Sequence, residues 1–188
     1  FSQKLPPIIF DRLSLSDGLI SNDVSTLFQD ASGFIWIGTW DGLQQYDGQN
    51  FTTFVSGTGF SEKYLSNGII NTIMQAPDGN VWVSTEMGGH CLLDPENGVI
   101  KCFTERSTGL DNVYFDRGVQ VVPLEDHRVL LVSRGGLYRL DTGVISQRIW
   151  PENRDIGGGP RHAVPDQHGR VWVAAQNELS AFESTTLA

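Results

Sequence analysis

The chain has 188 residues, enough for one sizeable core or for a row of small units that each need a neighbour. Its 21 glycines and 5 tryptophans, with modest charge, fit an all-β protein rich in turns. A formal net charge of −9 argues against a nucleic-acid partner, because phosphate-backbone binders need a clustered basic footprint. No apolar run approaches the length that spans a bilayer, so membrane contact would come only through a segment outside these residues. No basic segment followed by an apolar run marks a leader at the start; a removed leader and a longer parent chain both remain open.

In chain order, the short run Ile8 to Leu13 behind Pro6-Pro7 reads as a strand, followed by a turn at Asp17-Gly18-Leu19. Val24 to Asp30, Phe34 to Trp40, Leu43 to Asp47 and Phe51 to Val55 then read as four strands of one unit. A second set follows at Ile69 to Gln75, Val81 to Thr85, Cys91 to Asp94 and Val99 to Phe103. A third covers Gly118 to Val122, Val129 to Ser133, Leu137 to Asp141 and Val144 to Ile149. The last set, His162 to Val164, Val171 to Ala175 and Leu179 to Phe182, has three strands. Several strands are apolar on both faces, as a sheet sandwiched between two others requires.

The repetition is explicit at the second strand. Trp36, Trp82, Leu130 and Trp172 follow turns of related composition and are spaced by 46, 48 and 42 residues. That period, with several short strands per unit, marks propeller blades. The predicted blades are 22–55, 67–103, 117–149 and 161–183, and strand 8–13 is expected to complete a last blade. The expected fold is all-β: a β-propeller of four-stranded antiparallel blades, about four present, as part of a larger seven-bladed ring. Trp36, Trp82 and Trp172, at one repeat position in mid-strand, are expected to be core packing between blades.

Cys91 and Cys102 flank the hairpin loop Pro95-Glu96-Asn97-Gly98. With Asp94 opposite Val99, counting back sets the two cysteines across from each other, compatible with a disulfide or with two buried thiols. The turns Asp30 to Gly33, Pro77 to Gly79 and Asp166 to Gly169 lack the alternating carboxylates of a calcium loop and read as structural.

Catalytic signals are weak. His90, His127, His162 and His168 lie at no metal-ligand spacing, no nucleophile elbow is present, and Gly157 to Pro160 lacks the strand and helix of a phosphate cradle. No metal or cofactor is implied. Binding is the better expectation, at the face where the long connections between blades meet the turns joining second and third strands. Trp40 follows its strand beside Asp41, has no counterpart in the other units, and pairs an apolar face with a hydrogen-bond acceptor. His90 stands where the other units carry Leu43, Leu137 and Leu179, either as a hydrogen-bonded core histidine or as a group facing a cleft. Arg117 and Arg161 precede first strands and could meet an anion or balance nearby carboxylates. With Glu86, Arg134 and Gln176 from the equivalent turns, these eight residues are the candidate ligand set.

The phrases Gly18-Leu19-Ile20-Ser21-Asn22-Asp23-Val24, Phe28-Gln29-Asp30 to Gly33, Trp36-Ile37-Gly38-Thr39 and Asp41-Gly42-Leu43 resemble the two-component regulator propeller repeat. The first unit matches nearly throughout, the second keeps Asp78-Gly79, Trp82 and Thr85, and the fourth keeps Gly169 and Trp172. The resemblance implies a periplasmic sensor segment of a bacterial transmembrane receptor. Its output would be a histidine kinase or a cyclic-dinucleotide enzyme of GGDEF or EAL type, neither of which has a motif here. It also implies a carbohydrate or other small ligand, contact with other domains of the same receptor, and no chemistry in this segment. The rivals are an assembly scaffold in which two copies complete a ring as a homodimer, and a propeller lyase or hydrolase.

Overall fold

The computed structural model describes residues 11–57, 64–104, 118–124, 128–141, 144–149, 159–175 and 178–183. Fifteen strands are found among them, preceded by a single 3-10 turn at Leu15–Asp17. Blade one comprises β1 (Val24–Gln29), β2 (Ile35–Thr39), β3 (Leu43–Tyr46) and β4 (Phe51–Phe54). Blade two comprises β5 (Ile70–Gln75), β6 (Val81–Thr85), β7 (Gly89–Asp94) and β8 (Gly98–Phe103). Blade three comprises β9 (Gly118–Pro123), β10 (Val129–Ser133), β11 (Gly136–Asp141) and β12 (Val144–Arg148). Blade four comprises β13 (His162–Pro165), β14 (Arg170–Ala175) and β15 (Glu178–Glu183). Each blade is a separate antiparallel meander in which consecutive strands are neighbours.

The strand expected over 8–13 is not formed where the structure describes it. Residues 8–10 lie outside the described residues, and Asp11 to Leu13 have no regular structure. The sheet of blade four therefore has three strands among the described residues.

One device sets the second strand in blades one and four. Asp30 Oδ1 accepts the backbone N–H groups of Ser32 and Phe34 at 2.9 and 3.0 Å, while Oδ2 accepts the Trp36 indole N–H at 2.8 Å. Asp166 repeats it, with Oδ1 taking the N–H groups of His168 and Arg170 and Oδ2 taking Trp172 Nε1 at 2.9 Å. A short carboxylate thus closes the turn and orients the tryptophan six residues on. The Trp172 indole, with the Arg170 and His168 bonds behind it, holds the Asp166 carboxyl well below the usual carboxylate range. Blade two has Ala76 at this position, and Trp82 is held by packing alone at that end of the turn.

Three cores lie between blades rather than within them. Trp36 and Leu43 of blade one pack on Ile70, Ile73, Val83 and Leu93 of blade two. Trp82 and Phe103 of blade two pack on Val121, Val129, Leu131 and Tyr138 of blade three. Leu130, Val132 and Leu137 of blade three pack on Ala163, Val171 and Val173 of blade four. Trp36 stacks on Phe54 and Trp82 on Phe103 in equivalent fashion, with ring centroids 5.7 and 5.6 Å apart. Trp172 departs from expectation. It is 36% exposed because blade four is the last in the described row, and no further sheet lies over it.

The first strands are tied by side chains reaching the backbone of the next blade. Ser25 donates to the Ile70 carbonyl, Asn71 to that of Gly118 and Thr72 to that of Val119. Gln120 both donates to the Ala163 carbonyl at 3.0 Å and accepts its N–H at 3.1 Å.

Cys91 and Cys102 are opposite one another on β7 and β8 and form a disulfide. The register differs from the simple count: Asp94 faces Gly98 and Leu93 faces Val99, and a bulge between Leu92 and Leu93 restores the cysteine pairing. The bond closes a loop of sequence separation 11 and links the two outer strands of blade two. Reduction is expected to cost about 3 kcal/mol on loop-closure grounds. Thermal unfolding with and without reductant measures it, and an unchanged midpoint would show that the two strands are already fixed by the rest of the sheet.

Candidate functional site

The turns between second and third strands lie along one edge of the blades, where the chain passes from blade to blade. Gly68 runs against the backbone of Trp40 and Asp41, with room for no more than ordinary contact. A Cβ on Gly118 would run into the Gly89 carbonyl, and one on Gly159 into the Arg134 carbonyl. Glycine is required at the last two positions because backbone approaches backbone there. Each incoming connection thus crosses the second-to-third turn of the blade before it, and those turns carry the candidate residues.

Trp40 is 60% exposed, its N–H bonded to the Asp23 carbonyl at 3.1 Å. The turn beneath is rigid: Thr39 Oγ1 donates to the Gly42 carbonyl at 2.8 Å and accepts the Asp41 N–H at 3.1 Å. The indole is therefore presented outward from a fixed support, with the exposed Asp41 next in sequence. Glu86 occupies the equivalent turn of blade two, its N–H on the Ile69 carbonyl. Its Oε2 accepts Asn71 Nδ2 at 3.1 Å, and the same amide nitrogen donates to the Gly118 carbonyl at 2.8 Å. Glu86 is thereby drawn to the junction of blades two and three rather than left projecting. Arg134 and Arg161 are exposed on blades three and four, and the Arg161 N–H bonds the Ala174 carbonyl. Arg117 and Gln176 lie outside the described residues.

His90 does not belong with this set. Its side chain is wholly buried, with Nδ1 2.9 Å from Ser84 Oγ and Nε2 2.9 Å from Ser133 Oγ of blade three. Burial lowers its pKa from 6.5 to about 3, so the ring is neutral near pH 7, one nitrogen donating and the other accepting. It bridges two blades where Leu43 and Leu137 make apolar contacts at the same repeat position.

The sequence reading missed the polar ties of the first strands and the Asp30–Trp36 pairing. The second was legible as an Asp six residues before a Trp in two of the four units. Among the described residues, no group of three or more His, Cys, Asp or Glu could hold a metal ion.

Comparison with known proteins agrees with this architecture. The model of the two component regulator propeller matches residues 18–41 and 64–87, the stretches that lead into and form the second strands of blades one and two. No curated protein matches the chain. Among solved structures, the extracellular domain of a hybrid two-component system from B. thetaiotaomicron superposes with a TM-score of 0.53 at 18% identity, over 95% of this chain and 31% of that one. A second such domain from the same organism gives 0.54 at 20%, over 90% of this chain and 29% of that one. Virginiamycin B lyase from Staphylococcus aureus gives 0.61 at 12%, over 88% of this chain and 57% of that one. The chain spans about a third of the length of the two extracellular domains, and at these identities the likeness is one of fold. The repeat matches and the meander blades together make this chain a run of β-propeller blades that carries the two-component regulator propeller repeat.

Proposed function

We propose that the chain is the sensory or interaction segment of a bacterial transmembrane signalling receptor, working outside the cytoplasm and performing no chemistry of its own. The repeat type supports the receptor class, and the Cys91–Cys102 disulfide fits an oxidising compartment such as the periplasm. The observation that carries the binding reading is Trp40, an indole held outward on a rigid turn beside a carboxylate. Such a pair suits a sugar ring or a small polar ligand, which needs an apolar surface and an acceptor together. Engagement there would bias the rigid-body arrangement of receptor subunits and so reach an output domain, a histidine kinase or a cyclic-dinucleotide enzyme, lying beyond these residues.

Calorimetric titration with oligosaccharide pools tests the reading. Trp40→Ala is expected to weaken binding by about 2 kcal/mol, roughly 30-fold, as truncation of a central aromatic contact does. Affinity untouched by the substitution would remove Trp40 from the site. A lyase reading has less support, because His90, the histidine placed beside these turns, is buried and neutral.

A further inference from the structure

Asn-Gly occurs twice in the sequence, at Asn67-Gly68 and Asn97-Gly98, and the fold gives the two pairs opposite surroundings. In this dipeptide no Cβ hinders the approach of the glycine nitrogen to the asparagine side-chain carbonyl. Asn67 and Gly68 lie half-buried on the connection from β4 to β5, between two blades of this chain. Gly68 runs against Trp40 and Asp41 of blade one, and a Cβ on Gly88 of blade two would strike Ser66. Asn67 Oδ1 accepts the Ile69 N–H at 2.9 Å. That bond polarises the amide and aims a donor at the oxygen that gains charge when Cγ is attacked. The Asn67 Nδ2 amine and the Gly68 N–H have no hydrogen-bond partner among the described residues.

Asn97 is held the other way. The Asp94 carboxylate accepts its N–H at 3.1 Å and its side-chain Nδ2 at 3.0 Å, so the amine is tied down. The charge beside it is negative and opposes an oxyanion, and Gly98 is already paired with Asp94 in the β7–β8 ladder. The repeat does not need asparagine at 67 for the turn. Ser21 stands at the same place, three residues before Val24 as Asn67 is before Ile70. Its Oγ accepts the Asp23 N–H at 3.3 Å, the same cap from a side chain with no amide to lose.

We propose that Asn67-Gly68 is a self-modification site at which the folded chain deamidates, with the Ile69 N–H as the donor that favours it over Asn97-Gly98. The Gly68 nitrogen gives its proton to solvent base and bonds to Asn67 Cγ. The Cγ–Nδ2 bond then breaks, and the nitrogen takes up a proton and leaves as ammonia. Water adds to one carbonyl of the resulting five-membered imide and cleaves its C–N bond, giving aspartate or isoaspartate. Either product places a new carboxylate on the segment that runs against Trp40 and Asp41, and isoaspartate also lengthens the main chain there by one carbon. What this does to binding rests on the Trp40 reading, whereas the conversion itself does not.

Peptide mapping by mass spectrometry tests it, on the folded chain kept in mildly alkaline buffer and on the same chain reduced and unfolded in denaturant. Unfolded, the two pairs are expected to convert at similar rates. Folded, Asn67 is expected to lead Asn97 by about tenfold or more, since one preorganised donor to a developing oxyanion is worth at least that. Gly68→Ala is expected to slow conversion at 67 with circular dichroism unchanged, because a Cβ there meets only ordinary contact at 3.5 Å. Asn67→Ser, which keeps the cap, is expected to abolish the mass gain in that peptide and leave Asn97 as it was. Asn97 converting as fast as Asn67 in the folded chain, or Asn67 staying intact there while it converts unfolded, overturns the proposal.

Discussion

Trp36→Ala is expected to destabilise the chain by about 4 kcal/mol, the upper part of the range for truncating a fully buried aromatic. The indole has no solvent exposure, packs between blades one and two, stacks on Phe54, and donates to the Asp30 carboxylate. Removing it opens a cavity at a junction and takes one of three donors from Asp30. Trp172→Ala, at the same repeat position with the same Asp partner, is expected to cost only about 1 kcal/mol, because much of its ring is already in water. Chemical denaturation of the two variants measures the contrast. Equal losses would mean that the carboxylate–indole bond, and not interblade packing, dominates at both sites.

The second large effect is acid lability centred on His90. The folded chain holds this ring neutral, with a pKa near 3 against 6.5 for an ordinary histidine. A group whose folded pKa is depressed contributes stability that is fully present above its unfolded pKa and is lost as pH falls from there toward the folded value. For His90 that window runs from about pH 6.5 down to about pH 3. The full loss is on the order of 5 kcal/mol, and about 2 kcal/mol has gone by pH 5. The interval between pH 7 and pH 5 isolates this term, because Asp17, Asp47, Asp94 and Asp166, all held below the ordinary carboxylate value, stay ionised there whether folded or unfolded. The remaining described histidines, His162 and His168, are exposed. Denaturant unfolding at both pH values, for wild type and His90→Leu, is expected to show the slope in the first and little in the second. Leucine restores the residue the other blades use, and it leaves Ser84 and Ser133 short of a partner at about 1–3 kcal/mol. A wild-type stability flat across the interval would show that acid reaches the ring without unfolding the junction.

Much of the fold was legible because it is written four times. Val81–Thr85 and Val129–Ser133 fall on their predicted bounds, since a second strand buried at every position between turn residues has little freedom to slide. The disulfide was half legible: the hairpin loop brought Cys91 opposite Cys102, but the bulge at Leu92 and Leu93 leaves no mark in composition. The exposure of Trp172 was not legible, because a repeat position defines which face a residue takes and not whether another blade lies over it. The candidate site was the least legible part. Trp40 stood out by having no counterpart and is exposed, whereas His90 stood out as a polar residue where the other units carry leucine and is buried. A lone polar residue at an apolar repeat position finds its partners through the neighbouring blade, and Ser133 lies 43 residues away in sequence.

The ties between first strands bear on how such a chain changes its number of blades. Ser25, Asn71, Thr72 and Gln120 bond to carbonyl oxygens, and Gln120 also to an N–H, groups that nearly every residue supplies. A blade held in this way is largely indifferent to which side chains its neighbour's first strand carries. Duplication or loss of one repeat, 42 to 48 codons long here, leaves a junction that still finds its hydrogen bonds at once. Ring size then becomes a heritable quantity that drifts by whole units, and compatibility between blades needs no matched pair of substitutions to accompany each step.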